Sequence, residues 1–277
     1  MNDTQSITSE ITTLVGAAGL TAGVLLEHLG VPAAQEDALI AGTLGLTPAQ
    51  LTELRAGFRQ ALERTADELL ADPSFVAELD RLPFTAGERI VVAGDSLTAA
   101  ANSWANILQV LLGRRDIELV NRAVSGRSST DTIAVFGYSL ALDPDWILLM
   151  LGANDVRRHG TKAGVRMLSL DESVRNLGEL GRMAREESRA KVVTLPDYPH
   201  IDESKVEANR AAGTFWLSED LAEANKAVVA AVPGAIDIRS AVQPDGDYWG
   251  PDGIHPSPQG QLVLLRVIVQ SLGRVER

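Results

Sequence analysis

Residues 89–97 read Arg-Ile-Val-Val-Ala-Gly-Asp-Ser-Leu. The uninterrupted apolar run at 90–93 ends at Gly94, a pattern typical of a strand that is buried on both faces of a parallel sheet. A helical pattern follows over 98–112, so Ser96 is predicted to lie on the turn between a strand and a helix. Since open α/β sheets place their ligand crevice at the carboxyl ends of the strands, the Ser96 hydroxyl is predicted to face a cleft.

From residue 86 onward the chain alternates short apolar runs with helical patterns. Together with 90–93, strands are predicted at 117–120, 146–151, 192–195 and 235–238. Helices are predicted at 98–112, 130–141, 171–188, 219–231 and 258–273. This alternation favours right-handed crossovers and a parallel α/β sheet that carries helices on both faces. The polar stretch 197–217 is predicted to be a long loop that acts as a lid or specificity element.

The first 85 residues are predicted to form a helical extension of a different character. Thr47 and Pro48 are a capping residue and a first helical residue, and apolar residues follow at helical spacing until Asp72-Pro73 ends the pattern. A shorter helix is predicted over 74–80, and one or two helices over 11–29. We expect two domains, 1–85 and 86–277, with the extension packing on the second domain, covering it, or forming a homodimer contact.

Charge and composition exclude several functional classes. The chain has a formal charge of −12, and its first 85 residues alone contain twelve acidic residues against four arginines and no lysine. A nucleic-acid or anionic-membrane partner is therefore not expected, although the short helices of the extension invite a helix-turn-helix interpretation. The chain has no cysteine, which excludes disulfides, thiolate metal sites and a cysteine nucleophile. It shows no basic-then-apolar leader and no apolar run of membrane-spanning length, so we expect a cytoplasmic protein.

Four short segments carry reactive residue types near predicted strand ends or before the last helix. They are Gly-Asp-Ser-Leu at 94–97, Asn-Arg-Ala-Val-Ser-Gly-Arg at 121–127, Gly-Ala-Asn-Asp at 152–155 and Asp-Gly-Ile-His-Pro at 252–256. Because the carboxyl ends of parallel strands share one edge of a sheet, we expect these segments to meet there.

This set of segments resembles the SGNH hydrolases, also called GDSL-type esterases and lipases, over about residues 88–273. The resemblance implies a flavodoxin-like three-layer sandwich with a five-stranded parallel sheet, and an esterase. The sequence has no dense set of histidines and carboxylates of the kind a metal-dependent phosphoesterase needs, so neither a metal nor a cofactor is expected. It also implies a nucleophile at Ser96, a general base at His255 and an orienting carboxylate at Asp252. The oxyanion hole would consist of the backbone N–H groups of Ser96 and Gly126 and the side-chain amide of Asn154.

Physical chemistry supports these roles independently. A serine hydroxyl is a weak nucleophile at neutral pH, so a base within hydrogen-bond reach has to take its proton. Histidine titrates near neutral pH, and a carboxylate three residues earlier on a turn can accept from its Nδ1–H. Each preorganised donor to the developing oxyanion typically lowers the barrier by about 2.7–4 kcal/mol.

The substrate is predicted to be an acyl ester of a small molecule or sugar. Variable residues near the four segments are candidates for contacting it: Arg157, Arg158, His159, Tyr198, His200 and Trp249. Asp95 and Asp155 are expected to be structural, bonding backbone groups at their turns.

Two other functions remain open from the sequence. An acyltransferase would use the same residues and pass the acyl group to an acceptor other than water. A non-catalytic binding protein would act through the helical extension. A calcium loop at 245–256 is excluded, because its twelfth position is Pro256 instead of glutamate. An acyl-carrier site at Asp95-Ser96 is disfavoured, because an apolar strand precedes it.

Overall fold

The structure is a computed structural model that describes residues 22–208 and 213–276 of the 277-residue chain. Most of the helix predicted over 11–29 lies outside these residues. The strands are β1 Arg89–Gly94, β2 Glu118–Asn121, β3 Trp146–Met150, β4 Arg158–His159, β5 Lys191–Thr194 and β6 Thr214–Phe215. The helices before β1 are α1 Ala22–His28, α2 Ala33–Thr43, α3 Pro48–Leu70 and α4 Pro73–Leu79. Those after β1 are α5 Ser96–Ala99, α6 Trp104–Gly113, α7 Ser129–Leu140, α8 Leu170–Glu187, α9 Glu203–Ala208, α10 Ser218–Ala231, α11 Ile238–Ala241 and α12 Pro258–Leu272.

A parallel sheet of four strands, in the order β2-β1-β3-β5, lies at the centre of the α/β part. Side chains of β3 alternate between its faces: Leu148 packs with α6 and α12, whereas Ile147 and Leu149 pack with α7, α8 and α10. Both faces are therefore covered by helices, as the continuous apolar runs predict.

The predicted fifth strand at 235–238 is wrong, and the sheet has four parallel strands. Ala235 makes a single parallel bridge with Thr194, and the Ile236 N–H donates to the Thr194 carbonyl at 2.9 Å. The Asp237 side chain then caps α11, so the backbone turns into a helix after one pair of residues.

The second half of the extension is part of the main core. Leu69 of α3, Phe75 and Leu79 of α4, and Phe84 are buried in one cluster with Trp146 of β3. The first half forms a separate small cluster around Ile40, Ala41 and Leu51. The boundary at residue 85 stays a prediction, although the packing of 69–84 joins them to the sheet.

The predicted loop 197–217 contains regular structure. It includes α9 and the strand β6, which pairs with β4 in a second, antiparallel two-stranded sheet. Arg158 of β4 is anchored by a bidentate pair to the buried Asp220, with Nε–Oδ2 at 2.6 Å and Nη2–Oδ1 at 3.0 Å.

None of the helices in the described ranges combines the length and the apolar character that a membrane crossing needs.

Candidate active site

Ser96 lies where the sequence predicts it, at the turn between β1 and the short helix α5. Asp95 is the N-cap residue, and its Oδ1 accepts a hydrogen bond from the Leu97 N–H at 3.1 Å. Gly94 permits the close approach of α5 to the sheet, since a Cβ there would lie 2.8 Å from the Thr98 side chain and 3.0 Å from the Met150 carbonyl oxygen. The Ser96 N–H is in the first turn of α5, where backbone donors lack partners within the helix.

A continuous hydrogen-bonded line joins Ser96, His255 and Asp252. The Ser96 Oγ lies 2.8 Å from His255 Nε2, and His255 Nδ1 lies 2.5 Å from Asp252 Oδ2. The other carboxylate oxygen, Asp252 Oδ1, accepts from the backbone N–H groups of Ile254 and His255, each at 3.0 Å. The carboxylate thus holds both the loop and the ring, which leaves Nε2 to accept a proton from the serine.

The charges of this line shift the pKa values of both partners. Burial lowers the pKa of His255, but the hydrogen bond and charge of Asp252 outweigh it, so the pKa is raised above its ordinary value. Burial would raise the pKa of Asp252, but the hydrogen bond and charge of His255 and the backbone N–H bonds lower it to about 2. The carboxylate is therefore ionised at neutral pH and stabilises a protonated imidazole ring.

Asn154 and Gly126 line the same cavity as Ser96, and both accept a hydrogen bond from Arg157. The Asn154 Nδ2 donates to Asp95 Oδ2 at 3.1 Å, while its Oδ1 accepts from Arg157 Nη1 at 3.0 Å. The same Arg157 nitrogen donates to the Gly126 carbonyl at 3.3 Å. Gly126 has a φ of 81°, which favours glycine.

The loop that carries Gly126 is held by the first described helix. Arg122 forms an ion pair with Glu27 of α1, and Arg127 Nη2 lies 2.8 Å from His28 Nδ1. The extension therefore contacts the segment on which part of the site is built.

One cavity of about 950 Å³ lies between the segments that carry the predicted site residues. Ser96, Gly126, Asn154 and His255 line it. Its walls also include Arg157, Lys205, Trp216 and Trp249.

The two wall tryptophans are fixed by backbone hydrogen bonds. Trp216 Nε1 donates to the Ala153 carbonyl at 2.8 Å, and Trp249 Nε1 donates to the His200 carbonyl at 3.0 Å. Sequence reasoning missed Trp216 as a site residue. An aromatic residue in a long polar loop is the signal that could have found it.

The six candidate substrate contacts divide into two groups. Arg157 and Trp249 line the cavity, whereas Arg158, His159, Tyr198 and His200 are not among its lining residues within the described ranges. Tyr198 is buried beneath the site, with its ring packed over Gly152, and His200 Nε2 lies 3.0 Å from the Arg239 carbonyl oxygen. His159 is exposed on β4.

The family model described as the GDSL-like lipase/acylhydrolase family matches residues 92–263, well over half of the chain. The chain belongs to the GDSL-like lipase/acylhydrolase family. It is therefore an esterase, and the matched range contains Ser96, Asp252 and His255.

Relatives of this acylhydrolase include esterases of acetylated xylan. An acetylxylan esterase of Geobacillus stearothermophilus is 22% identical over 209 residues, which cover 68% of this chain and 94% of the relative. A solved structure of LAE5, an alpha/beta hydrolase from the metagenome of Lake Arreo, Spain, covers 71% of this chain and all of its own, at 21% identity and a TM-score of 0.54. The acetyl xylan esterase AlAXEase covers 65% of this chain and 97% of its own, at 17% identity and a TM-score of 0.52. These likenesses show a shared fold.

Proposed function

We propose that this esterase cleaves acyl esters through a covalent acyl intermediate on Ser96. The observation that carries the proposal is the line from the Ser96 Oγ to His255 Nε2 at 2.8 Å and from His255 Nδ1 to Asp252 at 2.5 Å. Solved structures of Axe2, an acetylxylan esterase from Geobacillus stearothermophilus, include catalytic mutants at a serine, an aspartate and a histidine, with the aspartate three positions before the histidine. Asp252 and His255 have the same spacing.

The reaction begins when the Ser96 Oγ attacks the ester carbonyl carbon and its proton passes to His255 Nε2. The C–O bond to the leaving alcohol then breaks, and His255 returns the proton to that alcohol. A water molecule next loses a proton to His255 and attacks the acyl carbonyl, which releases the acid and restores the Ser96 hydroxyl. The ionised Asp252 stabilises the imidazolium in both halves of the cycle.

Three donors are proposed to receive the charge that develops on the carbonyl oxygen. They are the Ser96 N–H, the Gly126 N–H and the second hydrogen of Asn154 Nδ2. The support for this assignment is that all three residues line the same cavity, and that Asn154 uses its first hydrogen on Asp95. Such donors are already oriented before the reaction starts, so they need no reorganisation while the charge develops.

The substrate class that fits best is a small acyl ester of a carbohydrate. An acetyl group occupies a minor part of a cavity of about 950 Å³, which leaves room for a sugar as the alcohol. Trp216 and Trp249 present rigid ring surfaces to that space. The acetylxylan esterases among the relatives support the same class.

The exposure of His255 favours water, rather than another molecule, as the acceptor of the acyl group. The His255 side chain is 42% exposed, so solvent reaches the base that has to activate the second nucleophile. An acyltransferase would be favoured by a covered acceptor site, whereas the His255 side chain is only partly covered.

Labelling with a fluorophosphonate tests the nucleophile. Wild type should gain one adduct, which peptide mass spectrometry places on Ser96, and should hydrolyse p-nitrophenyl acetate and acetylated xylo-oligosaccharides. Ser96→Ala should lose both the adduct and the hydrolysis. Ser125→Ala is the matched control for the labelling, because Ser125 lines the same cavity, and it should keep the adduct on Ser96. Equal labelling of wild type and Ser96→Ala would refute the assignment.

A further inference from the structure

Two carboxyl groups are fully buried beneath the site, and the reaction above uses neither of them. Asp95 is 0% exposed and Asp197 is 2% exposed, and their side chains are hydrogen-bonded to each other. Asp197 follows β5 and is held in the sheet by its N–H, which donates to the Leu151 carbonyl at 2.9 Å. Because both groups are carboxyls, a hydrogen bond between them requires a proton on one of them.

The hydrogen bonds place that proton on Asp197, because Asp95 accepts from the Leu97 N–H and from Asn154 Nδ2, whereas Asp197 Oδ2 accepts from no described group. Burial raises the pKa of Asp197 well above its ordinary value, and the neighbouring Asp95 raises it further. Burial also raises the pKa of Asp95, but hydrogen bonds from the Leu97 N–H and from Asp197 limit the increase, to about 6. Asp197 Oδ2 is buried and has no hydrogen-bond partner among the described residues. At neutral pH the pair is a neutral acid that donates to a carboxylate.

Other ionisable groups also face this pair. His255 and Asp155 act electrostatically on Asp95. Tyr248, Arg239 and His200 line a cavity of about 20 Å³ together with Asp197. Asp197 and Asp155 both raise the pKa of the buried Tyr198.

The carboxylate of Asp95 in turn fixes the amide of Asn154. Asp95 Oδ1 is engaged by the Leu97 N–H at 3.1 Å, which leaves Oδ2 to accept from Asn154 Nδ2 at 3.1 Å. Arg157 holds the opposite end of the amide by donating to Asn154 Oδ1 at 3.0 Å. With both ends fixed, the amide plane has one orientation, and the second hydrogen of Nδ2 is directed away from Asp95.

We propose that Asp197 is a positioning residue: by donating a hydrogen bond to the Asp95 carboxylate, it keeps Asp95 a fixed acceptor for Asn154 and so aims the free Asn154 N–H at the substrate oxygen. The inference deepens the proposed function and rests on it in one respect, namely that Asn154 donates to the substrate. The effect of Asp197 has to pass entirely through Asn154.

A double-mutant cycle tests that path. Asp197→Val removes the hydrogen-bond donor to Asp95, whereas Asp197→Asn keeps a donor in a side chain of nearly the same shape. Asp197→Val should lower kcat roughly tenfold with KM little changed, since a misdirected donor forfeits part of the 10²–10³-fold that a lost donor costs. Asp197→Asn should keep most of the wild-type kcat. In an Asn154→Ala background, Asp197→Val should lower kcat no further.

Two outcomes of the cycle would overturn the inference. One is an equal loss from Asp197→Val in both backgrounds, which would indicate a general structural role. The other is a loss in Asp197→Asn as large as that in Asp197→Val.

Nuclear magnetic resonance of the wild type provides a test that needs no folded valine variant. The Asn154 side-chain amide signal, assigned by its absence from Asn154→Ala, should titrate with a midpoint near pH 6, because the pKa of Asp95 is about 6. The titration should vanish in Asp95→Asn. An amide signal that stays constant over the whole pH range in which the protein is folded, or that titrates equally in Asp95→Asn, would overturn the inference. Activity retained by Ser96→Ala would instead refute the proposed function, and the amide titration would still be interpretable.

Discussion

Asp252 illustrates how one side chain serves both the backbone and the chemistry. Its Oδ1 accepts two backbone N–H groups and so closes the turn that presents His255, while its Oδ2 accepts from the imidazole ring. The low pKa of Asp252, about 2, and the raised pKa of His255 follow from the same contact. A substitution of Asp252 that keeps its shape and removes its charge therefore separates its role in positioning the turn from its electrostatic effect on His255.

Asp252→Asn should keep the turn and lose the charge. The loss of the carboxylate lets burial dominate, so the pKa of His255 should fall below its wild-type value. Values of kcat should fall by roughly 10³–10⁴, because the ring is no longer held in the required tautomer. Histidine signals followed by nuclear magnetic resonance against pH, together with kcat, measure both effects.

Asp245→Asn is the control, because Asp245 is an exposed aspartate that caps a nearby turn. It should leave both the His255 pKa and kcat unchanged. An unchanged His255 pKa in Asp252→Asn would contradict the proposed electrostatic coupling.

The sequence predicted the residues of this line better than it predicted the residues around the cavity. Asp252 and His255 are three positions apart on one turn, so local backbone geometry brings them together. Tyr198 depends on tertiary packing instead: Gly152 has no Cβ, and the Tyr198 ring fills the space where one would lie, 2.5 Å from the ring. A long loop allows either orientation, and only the glycine on a neighbouring segment selects the buried one.

At the scale of elements, α4 joins the predicted extension to the core of the sheet domain. Phe75 is fully buried, and the Arg266 guanidinium of α12 lies 5.0 Å from its ring centre. Arg266 also pairs with Asp72, the N-cap of α4, at 2.9 Å. The helix is therefore fixed to α12 by an apolar contact and by charge.

Phe75→Ala should destabilise the protein by about 3–5 kcal/mol, because it leaves a cavity in the main core. Phe58→Ala is the matched control: Phe58 lies on α3 and is only partly buried, so its loss should cost clearly less. Urea unfolding followed by circular dichroism measures both. Equal losses in the two variants would show that Phe75 contributes no more to stability than a partly buried side chain does.

The predicted element boundaries were wrong where a side chain redirected the backbone. Residues 235–238 have the composition of a strand, yet the capping carboxylate of Asp237 begins a helix after a single bridge to Thr194. The pair β4–β6 was missed for the opposite reason, since strands of two residues carry no measurable alternation. Longer strands such as β3 were predictable because burial on both faces demands an unbroken apolar run.

At the scale of the whole molecule, the extension consists of two parts with different neighbours. The part from Leu69 to Phe84 shares the main core, whereas α1, α2 and the start of α3 form a small cluster of their own. Leu29 and Leu39, at 77% and 46% exposed, lie on this outer part. A homodimer through these helices stays a prediction.

A variant without residues 1–46 should still unfold cooperatively, because the main core is left intact. Its kcat/KM should fall several-fold, since Arg122 and Arg127 lose Glu27 and His28 beside the loop of Gly126. A variant without residues 1–82 should not fold, because it lacks Phe75, Leu79 and Leu82. Light scattering, thermal unfolding and activity measure these differences. A folded, fully active product of the longer deletion would show that the extension is an independent appendage.

The four tryptophans of the chain fall into two pairs with different surroundings. Trp104 and Trp146 are 0% and 1% exposed, so their emission is shielded from dissolved quenchers and reports the integrity of the interior. Trp216 and Trp249 line the wide cavity with their indole N–H groups already bonded to the backbone, so a ligand that fills the cavity would contact their rings and shield them. Intrinsic fluorescence in this chain therefore distinguishes occupancy of the cavity from loss of the fold without an added label.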